Sequence, residues 1–225
     1  MPNWVFNNLS VEGDPKLIAE FKARAGNPYV THFKGGFVEL GGGLKTYDDN
    51  VVTETVHESE FSFMNFASPE DVDTYYSTDS VKPEGYEQMT FQERLDYSLR
   101  FESDGWYDWN VREWGSKWDA IDAELNQETE KHLYYKFDTA WSPPMRLFER
   151  IVEANPDLDF EFEWEEEQGW GGEAVGSSGV LSITKEWDIP ESHAEHVEQG
   201  KVDSCNCVFT DEPEIWFDDC PRAVA

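Results

Sequence analysis

Apolar and polar positions alternate most cleanly between Asp157 and Glu165. Leu158, Phe160, Phe162 and Trp164 fall on one side, and Asp157, Asp159, Glu161, Glu163 and Glu165 on the other. A period of two is the pattern of a half-buried strand, so one face packs into a core while the other carries carboxylates. Glu166 and Glu167 read as an extension of that acidic row, and no Lys or Arg occurs between Arg150 and Lys185.

Around this stretch the chain reads strand, helix, strand. Leu133, Tyr135, Phe137, Thr139 and Trp141 alternate as a strand. Ser142 is the expected cap of a helix with Pro143 and Pro144 in its first turn, where missing N–H groups cost nothing. Met145, Phe148, Ile151 and Val152 form its inner stripe, and Asn155-Pro156 stops it. Beyond the acidic strand, GWGGEAVGSSG reads as a flexible or tightly turning segment, followed by a strand over Val180 to Trp187.

The N-terminal half is less regular. Trp4 to Val11 reads as a strand whose apolar phase shifts between Phe6 and Leu9. Asp14, Pro15 and Gly26 mark the cap, first position and end of a helix. Residues 27–56 suggest one or two Gly-rich hairpins, and Phe61 to Phe66 another strand. Ser68, Pro69 and Asp71 open a short helix, residues 77–88 form a loop, and Thr90 to Glu93 is a capping box for a helix through Phe101. Residues 121–131 are charged and read as turn or loop. Together these elements predict an α+β, ferredoxin-like β-α-β-β-α-β arrangement with helices on one face. A single domain over 1–187 would carry a large insertion at about 27–105, followed by an acidic, irregular C-terminal extension over 188–225 with a short helix near 191–199.

Composition adds a strong charge. The chain has 225 residues, 17 Lys and Arg against 48 Asp and Glu, and a net charge of −31. Such a field repels nucleic acid and anionic membranes and attracts basic proteins. It excludes the basic stripe of a direct nucleic-acid binder. Three Cys, crowded near the C-terminus, are no disulfide framework, and no apolar run reaches membrane-spanning length. A soluble, cytoplasmic protein without signal peptide is expected.

Met1-Pro2-Asn3-Trp4 with Asn7 or Asn8, FSFMNFASPE, WNVREWGSKWDA (Trp109–Ala120) and FDTAWSPPMRLF (Phe137–Phe148) occur in that order. In these stretches, over Met1 to Gly179, the chain resembles the YubB ferredoxin-like family carried by phages and plasmids. The resemblance implies a ferredoxin-like fold without an iron–sulfur cluster and a mobile-element origin. It supplies no catalytic residue.

Candidate chemistry follows three features. The acidic row, Asp157, Asp159, Glu161, Glu163, Glu165, Glu166 and Glu167, is either a solvated surface, the mark of a halophilic source, or a mimic of a polyanion. As a mimic it would bind a basic, nucleic-acid-binding host defence protein and block it, in the manner of anti-CRISPR or anti-restriction proteins. Acids such as Glu124, Glu128, Glu130, Asp138 and Asp188 would have to join, because duplex DNA carries a charge every ~1.7 Å of axis whereas alternate strand residues stand ~6.7 Å apart. The Trp cluster (Trp109, Asn110, Trp114, Lys117, Trp118) is either core or a pocket in which a base stacks and Lys117 meets a phosphate, as in a nucleotide sponge or nucleotide-acting enzyme. His193 and His196 with Cys205, Cys207 and Cys220 superficially suggest zinc, but C-x-C is tighter than structural zinc spacing, and no metal or other cofactor is expected. His57-x-x-Glu60 is weaker still. No P-loop, dinucleotide, G-x-S-x-G or H-E-x-x-H motif is present, so no enzyme class is indicated.

Overall fold

A computed structural model describes residues 2–41, 44–69, 88–90, 106–200 and 217–220. Its frame is a six-stranded antiparallel sheet. The chain enters it with β1 (Trp4–Glu12), leaves through helix α1 (Pro15–Ala25), and builds a separate hairpin from β2 (Tyr29–Gly41) and β3 (Leu44–His57). A 3₁₀ turn (Phe63–Asn65) and helix α2 (Trp106–Glu113) follow. The sheet then resumes with β4 (Ile121–Glu128), β5 (His132–Ala140), helix α3 (Met145–Ala154), β6 (Asp159–Glu166), β7 (Gly171–Ser177) and β8 (Val180–Trp187). Helix α4 (His193–Glu198) lies in the expected extension.

The strand order is β4-β5-β1-β6-β7-β8. Its first four strands, with α1 and α3 as crossovers, have the ferredoxin-like β-α-β-β-α-β topology, and β7 and β8 widen the sheet beyond it. Both crossover helices lie on one face. Phe21 of α1 meets Phe160 edge-on at 5.9 Å, and Phe148 of α3 stacks on Phe162 at 4.1 Å. The amphipathic stripe of α3 buries Leu147, Phe148, Ile151 and Val152, and α1 buries Ile18, Phe21 and Ala25. The α1 ends are as expected: the Asp14 side chain accepts from Lys16 N, and Pro15 occupies the first turn.

Several expectations give way. Phe61 to Phe66 is not a strand. Phe61 and Phe63 are fully buried and Phe63–Asn65 turns as 3₁₀, because Phe61 stacks among Tyr135, Phe137 and Phe148 and so must present neighbouring rings to one core. Residues 121–128 are a strand, not a loop: Ile121, Ala123 and Leu125 are half-buried in alternation, a period masked by the charges between them. The segment after the acidic strand is β7, not a flexible turn. Its glycines are needed there, since a Cβ at Gly172 would overlap the Trp164 indole and one at Gly176 would overlap Val152. Ser142 does not cap α3; its hydroxyl donates to Gly115 O at 2.6 Å, and the helix starts without a side-chain cap. The Trp cluster begins on a helix, α2. In β1 the phase never shifts: Val5, Asn7, Leu9 and Val11 all point inward, and Phe6 is exposed. The helices expected after Ser68 and Thr90, the loop over 77–88, and Cys205 and Cys207 fall wholly or largely outside the described residues.

Asn7 explains the missed phase. Buried at a core position, it donates from Nδ2 to Val5 O, Phe137 O and Thr139 Oγ1 (2.8, 3.2 and 3.0 Å), and Thr139 donates onward to Ser142 O at 2.9 Å. The other motif stretches meet in the same way. Trp114 Nε1 donates to Ala67 O and Leu147 N to Trp114 O, while Asp119 accepts from Ser62 Oγ and Phe63 N, both at 2.6 Å. Gly115, at φ +83°, leaves α2 in the left-handed region and lies against the backbone of Met145 and Arg146. The segments that carry the family resemblance are therefore joints between elements of the fold.

Candidate acidic binding face

The face of the sheet opposite α1 and α3 is open among the described residues. Period two puts Asp159, Glu161 and Glu163 of β6 on it, all exposed, with Glu165 half-buried at its end. Their neighbours across the ladders are Glu12, Ser10, Asn8 and Phe6 of β1 on one side. On the other side Glu161 faces Val175, Glu163 faces Glu173 and Glu165 faces Gly171. The acids thus form a patch broader than one strand.

Two members of the predicted row do not belong to it. Glu166 shares the parity of Trp164 and lies opposite Val5, an inward position, so it is buried at 1% exposure. Its Oε2 accepts from Gln168 N at 2.6 Å, which shapes the turn into β7. Glu167 is exposed but lies past the end of β6, and its N–H donates to Trp4 O. Asp157 is exposed in the turn that precedes the strand.

Cations on this face are few among the described residues. Lys185 of β8 lies opposite Glu173 and reaches its carboxylate at 3.7 Å. Lys136 of β5 lies opposite Glu124 and Asn8. Asp159 accepts from Ser177 Oγ at 2.6 Å. A shallow depression of about 290 Å³ crosses the centre of the face, between Ser10, Tyr134, Glu161, Glu163, Glu173 and Thr184. The Tyr134 hydroxyl donates to Asn8 Oδ1 at 2.9 Å, and Ser10 Oγ lies 2.7 Å from His132 Nε2. Of the other acids expected to join, Asp138 sits on this face beside Phe6. Burial first, then the charge of Asp122, raises its carboxyl above the ordinary value.

The Trp cluster is distributed differently. Trp114 is buried at 1% exposure, edge-on to Trp109 at 5.3 Å and to Phe63 at 5.6 Å. Asn110 is buried and donates to Lys117 O at 2.7 Å. Neither offers a surface on which a base could stack. Trp109 and Trp118 are half-buried, and Lys117 Nζ lies 4.5 Å from the Trp118 ring centroid, which itself leans on Trp4.

Among the described residues no group of three His, Cys, Asp or Glu is placed to hold a metal ion. His196 is buried against Phe217 with Nδ1 3.0 Å from Ser192 O, Cys220 is a buried free thiol, and His57 stacks on Tyr29 with Nε2 2.8 Å from Thr31 Oγ1. No helix among the described residues is long and apolar enough to cross a membrane.

Comparison with known proteins bears on the fold. No curated protein matches the chain. The crystal structure of protein Api92 from Yersinia pseudotuberculosis aligns with 84% of this chain and 99% of its own, at 11% identity and a TM-score of 0.44. Residues 113–205 match the family model described as the ferredoxin-like domain in Api92-like protein. Residues 113–205 carry a ferredoxin-like domain similar to that of Api92-like proteins.

Proposed function

We propose that the open face of the sheet is a docking surface for a basic protein, and that the partner is a nucleic-acid-binding host protein inhibited by losing its nucleic-acid groove to this surface. A phage or plasmid origin, with a restriction or CRISPR component as the target, is the finer form of the same reading. The observation that carries it is the juxtaposition of Glu163 and Glu173, directly opposite each other on β6 and β7. Like charges across a ladder destabilise a sheet, and here they sit in a row with Asp159 and Glu161 on a face otherwise poor in cations. The ion pair from Lys185 to Glu173 is solvent-exposed and offsets little of that cost, and a local rule broken in this way is expected at a functional surface. The protein acts without catalysis in this reading, and its own net charge keeps it off nucleic acid.

The test uses the intact chain as bait in a host lysate, followed by identification and purification of the captured protein. Binding to that protein should weaken steeply as salt rises from roughly 0.1 M to 1 M, because several exposed charges pair across the contact. It should be lost in the variant Asp159→Asn, Glu161→Gln, Glu163→Gln, Glu173→Gln, and the captured protein should release its nucleic acid when the wild-type chain is added. Binding that survives molar salt, or that is indifferent to the fourfold variant, overturns the reading.

A further inference from the structure

The helix-covered side of the molecule holds a separate groove of about 760 Å³ between α1, the turn after β3, β4 and β5. That size is in the range of small-molecule sites, which run to ~300–1,000 Å³. Its apolar walls are Ala19, Ala23 and Leu125. Its polar lining includes Glu58, Glu60, Glu128 and Lys22, with Lys22 Nζ already 2.5 Å from Glu128 Oε2. Glu60 Oε2 accepts from Leu125 N at 3.2 Å and is thereby held against β4. Three carboxylates against one ammonium leave the groove negative.

Acidity alone would mean little in so acidic a chain. Tyr135 separates this groove from the rest of the surface. It has no exposed area, lines the groove, and its hydroxyl oxygen has no hydrogen-bond partner among the described residues. Buried polar groups are nearly always satisfied, so an orphaned hydroxyl in a cavity wall marks a position where a ligand atom is expected. Burial first, then the charges of Glu60 and Glu128, push the phenol above its ordinary value, so the group in the groove is the neutral hydroxyl. A neutral hydroxyl can accept a hydrogen bond from a cationic N–H, while the neighbouring carboxylates neutralise the charge.

We infer that this groove binds a linear aliphatic polyamine, with one ammonium group donating to Tyr135 Oη and to Glu60, and its methylene chain lying along Ala19, Ala23 and Leu125. More than one ammonium is required, since the excess of carboxylates over Lys22 is greater than one. The site is distinct from the acidic face on the other side of the sheet, and it stands or falls independently of it.

The test is calorimetric titration of the full chain with spermidine. Any acidic protein collects polyamines in its counterion atmosphere, so the variants carry the discrimination. Tyr135→Phe leaves every charge in place and removes only the hydroxyl; it should weaken spermidine roughly tenfold, the worth of one hydrogen bond to a charged group. The double variant Glu161→Gln, Glu163→Gln removes two charges from the opposite face and should leave spermidine affinity unchanged. Equal affinity of wild type and Tyr135→Phe, or an equal loss in the open-face variant, overturns the assignment. Melting curves of Tyr135→Phe without ligand verify that the fold persists.

Discussion

Asp119 accepts the hydroxyl of Ser62, 57 positions earlier in the chain, at 2.6 Å, and the same carboxylate takes the N–H of Phe63 at 2.6 Å. This contact ties the 3₁₀ turn, whose phenylalanines fill the centre of the core, to the approach into β4. Removing it should cost more than a surface bond. Asp119→Ala leaves Phe63 N and Ser62 Oγ without their acceptor and should destabilise the protein by about 2–3 kcal/mol. Ser62→Ala should cost about 1 kcal/mol, and a double-mutant cycle by urea unfolding should return coupling between the two. Additive losses would mean that the two side chains act separately.

Asp119 also makes stability depend on pH. Burial raises its carboxyl above the ordinary value, more than the bonds from Ser62, Phe63, Ala120 and Met64 lower it. A carboxyl raised on folding holds its proton more tightly in the native state. Its contribution to stability is therefore full below the ordinary value of ~3.8 and is lost as pH rises through the raised one. Asp119→Asn should flatten that segment of the stability–pH curve in urea titrations at successive pH values. An unchanged curve would assign the slope to other carboxyls.

Gly172 tests how closely β7 approaches the core. A Cβ there would overlap the Trp164 ring, so Gly172→Ala should cost about 1–3 kcal/mol by overpacking. Trp164 fluorescence and the melting temperature would report it. Wild-type stability in Gly172→Ala would mean that the indole has room to move.

β1 lies between β5 and β6 and is paired with both, yet it falls outside residues 113–205 that match the family model. A fragment of 113–205 should lack the strand that joins its two halves, leaving two ladder edges unpaired. It should show no cooperative unfolding transition and little amide protection by hydrogen exchange. A cooperative fragment would mean that β5 and β6 can pair directly.

Tyr135→Phe has a consequence for stability as well as for ligand binding. The hydroxyl is buried without a partner among the described residues, so its removal should leave the unliganded protein as stable as wild type or stabilise it by up to about 1 kcal/mol. A large loss on urea unfolding would show that the hydroxyl has a structural partner.

Much of the frame was legible in local pattern. The α1 cap, the α3 stripe, and the strands β1, β5, β6 and β8 follow from residues within one or two turns of each other. Parity also contained the position of Glu166: it repeats the phase of Trp164 and so had to lie inside, although its charge suggested otherwise. β4 and β7 were hidden for different reasons. In β4 the charged residues masked a weak alternation, and in β7 glycine stands where Trp164 and Val152 fill the space that side chains would otherwise take.

By itself the sequence determined which residues of each segment share a side, because alternation and helical period are properties of a short stretch of backbone. It thereby set out the carboxylates of Asp159, Glu161 and Glu163 in a row. Only the tertiary structure decided what that row stands beside, with Glu173 facing Glu163 and β1 at the centre of the sheet. It also decided that Asn7 is a core residue and that the Tyr135 hydroxyl has no partner among the described residues. Those outcomes rest on strand register and hydrogen bonds between residues far apart in the chain, more than a hundred positions in the case of Asn7 and Thr139, where no local period reaches.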